Sequence, residues 1–253
     1  MKQGFVKVAS ATPRIRVADP VYNAQVICEQ AKEAAEHGAK IVVFPELCIT
    51  GYTCNDLFLQ ELLLEKAKEA LLTIAEETGQ LETLFLVGLP VDKDGRLYNV
   101  AAVLYRGRIL GMIPKKNIPM YAEFYEGRHF TPGEETVTEY RLGKQVIPFG
   151  SNLLFRCEEL PELILGCELC EDLWVAEPPS TSHALMGATV IANLSASNET
   201  VSKDDYRTLL IKASSARLLC GYIYTSAGEG ESTQDLVFGG HDLIAENGTL
   251  LVQ

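Results

Sequence analysis

Three short segments, far apart in the chain, carry residues able to cleave an amide: Glu46 in I-V-V-F-P-E-L, Lys115 in G-M-I-P-K-K-N-I-P and Cys170 in L-G-C-E-L-C-E-D-L-W. A thiol that attacks a carbonyl carbon needs a base to take its proton, and a cation or N–H donors to hold the oxyanion that forms. A glutamate, a lysine and a cysteine supply these parts. Each residue follows an apolar run of strand length and precedes a change of pattern, which places it where a buried strand ends and faces a cleft.

Plainer readings compete at each position. Cys167 and Cys170 form a C-x-x-C pair, but no second such pair exists and the histidines (37, 129, 183, 241) stand apart, too few ligands for a closed zinc site. Glu171 and Asp172 beside the pair disfavour the thiolate that a redox centre needs. On residue type alone, two buried structural cysteines explain the pair better than either. Glu46 alone reads as a surface or capping acid, yet a carboxylate directly after Ile41 to Pro45 is costly unless paired or functional, and Lys115 raises the same question. The glycines of G-E-G-E-S-T-Q-D at 228–235 suggest a phosphate cradle. Glu229, Glu231 and Asp235 would repel phosphate, however, so the stretch reads as a flexible loop at the mouth of a site.

The elements that must position these residues alternate. Strands are expected at 6–9, 39–44, 84–90, 164–170, 188–194 and 221–226, and helices at 19–38, 58–78, 181–187 and 203–219. Hairpins are expected at Arg106-Gly107, between 97–105 and 108–113, and at Asn247-Gly248 within 239–252, so the sheets are mixed. Residues 117–150 read as long loops with an interposed strand. H-G-A-K-I-V-V-F-P-E at 37–46 and M-G-A-T-V-I-A-N-L-S at 186–195 repeat weakly, each a helix end, Gly-Ala and a buried strand, which suggests two similar half-sheets.

With 253 residues, 47% of them hydrophobic, the chain fits one large α/β domain spanning 1–253. Its net charge of −12 argues against a nucleic acid or an anionic membrane as partner. Lys7 interrupts what would be the apolar part of a signal peptide, and no stretch reaches the length of a spanning helix, so a cytoplasmic location is expected. Seven cysteines, an odd number in mostly apolar surroundings, suit reduced thiols.

At these residues the chain resembles the nitrilase superfamily. P-K-K-N-I-P-M-Y-A-E-F-Y-E, C-E-D-L-W-V-A-E-P-P-S, A-N-L-S-A-S-N-E and A-G-E-G-E-S-T-Q-D are similar, in register, to the glutaminase (amidotransferase) domains of glutamine-dependent NAD synthetases. The resemblance implies a four-layer α-β-β-α sandwich. It also implies a triad of Glu46 as general base, Lys115 as oxyanion-stabilising lysine and Cys170 as nucleophile, with Glu123 as an auxiliary acid that orients the triad. Tyr52, Tyr121, Glu126, Trp174, Ser197 and Lys203 fall where such domains line the glutamine pocket. Glu126 would meet the α-amine, and Lys203, where some relatives carry Arg, would meet the carboxylate with Ser197.

By the same resemblance no metal or cofactor is expected here. ATP and magnesium belong to a synthetase domain, expected to be absent from this chain, that amidates nicotinic acid adenine dinucleotide with the ammonia released. A homo-oligomer is expected. The alternatives are a free-standing amidase or carbamoylase acting on another small amide, and a cysteine-pair metal or redox module.

Overall fold

Strand alternation sorts the apolar residues onto two faces, and both faces are covered. The computed structural model describes residues 4–253. In the first sheet β1 (Val8–Ser10), β2 (Ile41–Val43) and β3 (Leu84–Lys93) run parallel, and β4 (Arg96–Tyr105) and β5 (Arg108–Pro114) continue antiparallel. β7 (Gln145–Phe149) and β6 (Thr138–Leu142) complete it in the order β1-β2-β3-β4-β5-β7-β6. The second sheet has the order β13-β12-β11-β10-β9-β8. It is built from β8 (Phe155–Arg156), β9 (Ile164–Leu169), β10 (Val190–Ser195), β11 (Gly221–Ser226), β12 (Leu243–Glu246) and β13 (Thr249–Val252).

Ile41, Val43, Leu86, Ala101 and Val103 of the first sheet meet Leu165, Cys167, Leu169, Ala192, Leu194 and Ile223 of the second in a dry layer. The intervening residues Val42, Phe85, Val87 and Leu89 point the other way, onto helices α1 (Pro20–Glu36) and α2 (Glu61–Glu77). Ile191 and Tyr222 likewise face away from that layer and pack with Ile211 of α4 (Lys203–Leu218); α3 (Pro179–Leu185) covers the same face, its His183 lying against Gly166 of β9. The result is the four-layer α-β-β-α sandwich. Burial on both faces explains why these strands read as unbroken apolar runs.

The repeat at 37–46 and 186–195 marks equivalent places. β2 and β10 each lie between two parallel neighbours, and each follows a helix whose end passes through a glycine with positive φ, Gly38 at +85° and Gly187 at +101°. Both anticipated hairpins form at residue pairs with positive φ: 48° and 75° at Arg106 and Gly107, 49° and 82° at Asn247 and Gly248.

Other expectations need correction. The helix expected at 58–78 starts only at Glu61, because Tyr52–Leu59 forms a 3-10 segment kinked at Asn55 (φ 49°, ψ −132°). A further hairpin turns at Asp94-Gly95, and residues 117–150 hold two strands rather than one. The loop read as flexible is pinned instead: the Glu231 carboxylate accepts from the Tyr52 and Thr53 N–H groups at 2.7 and 3.0 Å.

Gly88 of β3 is what lets the chain around Glu46 pass so close. A Cβ at Gly88 would lie 2.2 Å from the Leu47 nitrogen and 2.6 Å from the Pro45 carbonyl oxygen, backbone atoms that cannot yield. Gly88→Ala is therefore expected to cost about 2–3 kcal/mol or more of stability by overpacking, read from urea denaturation. Activity should fall further than stability explains, because the displaced turn carries Glu46.

Candidate active site

The ends of β2, β5 and β9 bring Glu46, Lys115 and Cys170 to one place. Glu46 opens a turn after β2 whose N–H donates to the Ser195 carbonyl at the end of β10, so the residue bridges the two sheets. Lys115 follows β5, with its N–H on the Asn99 carbonyl (2.8 Å) and its own carbonyl accepting from Gly133 N–H (2.7 Å). Glu46 and Lys115 are fully buried, and Cys170 is nearly so.

Lys115 Nζ donates to Glu46 Oε1 at 2.7 Å and to Glu126 Oε1 at 2.6 Å. An ammonium has three N–H bonds, so one remains beyond this pair of carboxylates. Asn99 Nδ2 donates to Glu46 Oε1 (2.7 Å), the Ala196 N–H donates to Glu46 Oε2 (2.9 Å), and Tyr52 Oη donates to Glu126 Oε1 (2.9 Å). Burial opposes the charge on Lys115, but Glu126 and Glu46 outweigh it and hold its pKa well above the ordinary value. Burial raises the Glu126 carboxyl, and Lys115 only partly offsets this.

Cys170 stands at φ 40°, an uncommon left-handed conformation for a residue with a side chain, at the point where β9 turns into a short 3-10 helix, Cys170–Leu173. Asp172 fixes the turn by accepting from the Leu169 N–H (3.0 Å) and the Asn117 N–H (2.7 Å), which ties the cysteine turn to the segment after Lys115. Burial pushes the Cys170 thiol well above its usual range, Glu46 adds to the shift and Lys115 opposes it. The resting sulfur therefore holds its proton and needs a base to become a nucleophile.

The two glutamates of the loop after Lys115 stand the other way round from expectation. Glu126, assigned to the substrate amine, is spent on Lys115 and Tyr52 inside the buried cluster. Glu123, assigned to orienting the triad, accepts instead from Asn198 Nδ2. The 3-10 turn Glu126–Arg128 draws Glu126 inward to 5% exposure and leaves Glu123 part-exposed. Tyr52, expected in the pocket lining, has its hydroxyl committed to Glu126.

The remaining pocket residues group around the mouth. Lys203 Nζ donates to Asn198 Oδ1 and lies 5.3 Å from the Trp174 ring and 5.6 Å from the Phe124 ring. Tyr121 packs on Phe124, ring centres 5.8 Å apart, and donates its hydroxyl to Glu171 at 2.9 Å. Ser197 is buried, and its Oγ accepts from Arg207 at 3.2 Å. Glu171, which accepts the Tyr121 hydroxyl, directly follows Cys170, so the cysteine turn is joined to this half-open set. A cavity of about 530 Å³, its open mouth included, shares Tyr52, Glu123 and Glu126 with these residues and runs on to His129 and Asp235; Cys170 is not in its lining. The arrangement offers a protonated thiol, a carboxylate to take its proton, an ammonium donor, and separate acidic and basic groups for a zwitterion.

Asn99, Asp172 and Arg207 escaped the sequence reading. Asn99 had a signal, a lone amide in the apolar strand R-L-Y-N-V-A-A-V-L-Y. Arg207 had none, since a charge near the start of a helix reads as solvent-facing. Cys167 is separated from Cys170 by the strand's end and packs between the sheets. Among the described residues no group of three or more His, Cys, Asp or Glu could hold a metal ion, and no helix is long and apolar enough to cross a membrane.

The chain is 43% identical over 252 residues to the glutamine-dependent NAD(+) synthetase of Mycobacterium bovis, a match that covers all of this chain and 37% of that protein. The crystal structure of a glutamine-dependent NAD(+) synthetase from Cytophaga hutchinsonii matches with a TM-score of 0.87 at 28% identity, over 98% of this chain and 40% of that one. An amidase from Nesterenkonia sp., at 20% identity and a TM-score of 0.75 over 99% of this chain and 86% of its own, has the same fold. The chain spans less than half the length of the curated relatives it matches. The carbon-nitrogen hydrolase family model matches residues 7–253, and the chain belongs to the carbon-nitrogen hydrolase family.

Proposed function

We propose that this chain hydrolyses the side-chain amide of glutamine at Cys170 and supplies the ammonia to NAD synthesis. The observation that carries the reading is the buried Lys115, held between Glu46 and Glu126, beside a thiol that burial keeps protonated. Glu46 takes the thiol proton, and the sulfur attacks the amide carbon. The spare N–H of Lys115 and an N–H of the turn that begins at Cys170 hold the oxyanion. Glu46 returns its proton to the departing nitrogen, so ammonia leaves and a γ-glutamyl thioester remains. Glu46 then deprotonates a water, which releases glutamate and restores the thiol.

The α-carboxylate of glutamine suits Lys203 with Ser197 and Asn198. The α-ammonium suits Glu171 or Glu123, because Glu126 is already paired. Lys203 offers a single point charge, so the carboxylate is held by fewer fixed bonds than an arginine's planar fork would give. Delivery of ammonia to NAD synthesis is supported by the likeness to glutamine-dependent NAD(+) synthetases, of whose length this chain spans less than half; in this reading the amidation step, with ATP and magnesium, is the work of a separate synthetase domain.

The test is exposure to a diazo-ketone analogue of glutamine followed by peptide mass spectrometry. The sulfur forms a bond to the diazo carbon, dinitrogen leaves, and the thiol proton ends on that carbon. We expect one adduct, on Cys170, blocked by excess glutamine. No adduct on Cys170, or cleavage of simple aliphatic amides without cleavage of glutamine, would sink the glutamine reading.

A further inference from the structure

Arg207 of α4 is completely buried, and its guanidinium is spread across one short segment. Nη2 donates to Ser197 Oγ at 3.2 Å and to the Asn198 carbonyl at 3.1 Å. Nη1 donates to Glu199 Oε1 at 2.9 Å and to His241 Nδ1 at 2.7 Å. Segment 196–199, which follows β10, is therefore gripped at three consecutive residues. The same segment reaches the buried cluster through Ala196 N–H, which meets Glu46, and the Asn198 side chain meets both Glu123 and Lys203. Nothing in the buried ion cluster touches Arg207, whose four acceptors all lie elsewhere.

A buried arginine is costly unless its donors are used, and here the two terminal nitrogens make four bonds to backbone and side chains that bear no reaction chemistry, while Nε is left without a partner. Arg207 also lies one helical turn from Lys203 on α4, so the two cations share a face while Asn198 links them. We infer that Arg207 is a positioning residue for substrate recognition: it fixes Ser197 and Asn198, and through Asn198 it holds Lys203 where the carboxylate end of the substrate docks. The inference rests on the reading of the Cys170 site as one for an amino-acid amide. His241 takes part by accepting at Nδ1, which requires its neutral form with the proton on Nε2.

The test compares Arg207→Lys, which keeps the charge and loses the fork, with the wild-type chain. Two rate constants for modification of Cys170 are measured by peptide mass spectrometry: one with the diazo-ketone analogue of glutamine, which needs the recognition contacts, and one with iodoacetamide, which has neither carboxylate nor amine. We expect the first to fall about tenfold or more, the scale of a lost charged hydrogen bond, and the second to stay within about twofold. Equal falls in both, or no fall in either, would overturn the inference.

If Arg207→Lys does not fold, His241→Leu leaves Nη1 on Glu199 alone, and the ratio of the two constants is expected to fall about threefold; an unchanged ratio overturns the inference. A wild-type chain that reacts with iodoacetamide at Cys170 but not with the diazo-ketone refutes the glutamine reading itself. Wild-type modification by both, with an unaltered ratio in the variant, refutes only the role of Arg207.

Discussion

Cys170→Ala is expected to remove glutamine hydrolysis altogether, a loss of at least about 10,000-fold, because a missing nucleophile leaves only the background rate. The fold should survive. Alanine keeps the Cβ that already stands at φ 40°, and the lost thiol takes no charge pairing with it, since burial and Glu46 keep it protonated. Cys167→Ala should leave most of the activity. That sulfur lies in the apolar layer between the sheets, so its loss should cost about 1 kcal/mol of stability and not reach the chemistry. Steady-state ammonia release from both variants, with thermal melts to show that each is folded, decides the matter. Comparable activity losses in two folded proteins would remove Cys170 from its role as nucleophile.

The second large effect is expected at Lys115. Lys115→Met should lower the rate at least about 100-fold by removing the donor to the oxyanion. It should also cost about 3–5 kcal/mol of stability, since Glu46 and Glu126 would face each other buried without their cation. The two losses separate in the double variant Lys115→Met, Glu126→Gln, which removes one of the stranded charges: stability should largely return and activity should not. A double variant with restored activity would show that Lys115 serves only to neutralise its neighbours.

The sign of the pH dependence follows from the same cluster. Burial already raises the Glu126 carboxyl in the native protein, and without Lys115 the rise is larger. A carboxyl whose folded pKa is raised favours the fold below its unfolded value, and that contribution is lost as pH rises through the folded value. The stability deficit of Lys115→Met should therefore shrink between pH 8 and pH 5. Urea midpoints at the two pH values measure it, and a deficit that grows on acidification would contradict the burial of an uncompensated carboxylate pair.

How much of this was legible in the amino-acid order depends on the range of the interaction. Glu46, Lys115 and Cys170 could be picked out because each is a polar or reactive residue that follows an unbroken apolar run, a local pattern that marks the end of a strand buried on both faces. The hairpins at Arg106-Gly107 and Asn247-Gly248 were equally local, since their turns need positive φ at two adjacent residues. So was the weak repeat at 37–46 and 186–195, which suggested two similar half-sheets and falls on β2 and β10, each between parallel neighbours.

What tertiary structure alone decided was which charge meets which. Glu123 and Glu126 sit three residues apart in one irregular loop, and nothing in Y-A-E-F-Y-E says which turns inward; the 3-10 turn at Glu126 settles it by presenting that carboxylate to a buried ammonium eleven residues back. Asn99, Asp172 and Arg207 reach partners 53, 55 and 34 residues away, on other strands and loops. Such pairings cost nothing to leave unmade in an unfolded chain, where water serves every polar group. They become obligatory only when packing the two sheets and their helices removes that water, and by then the sequence neighbours of each residue no longer determine what it touches.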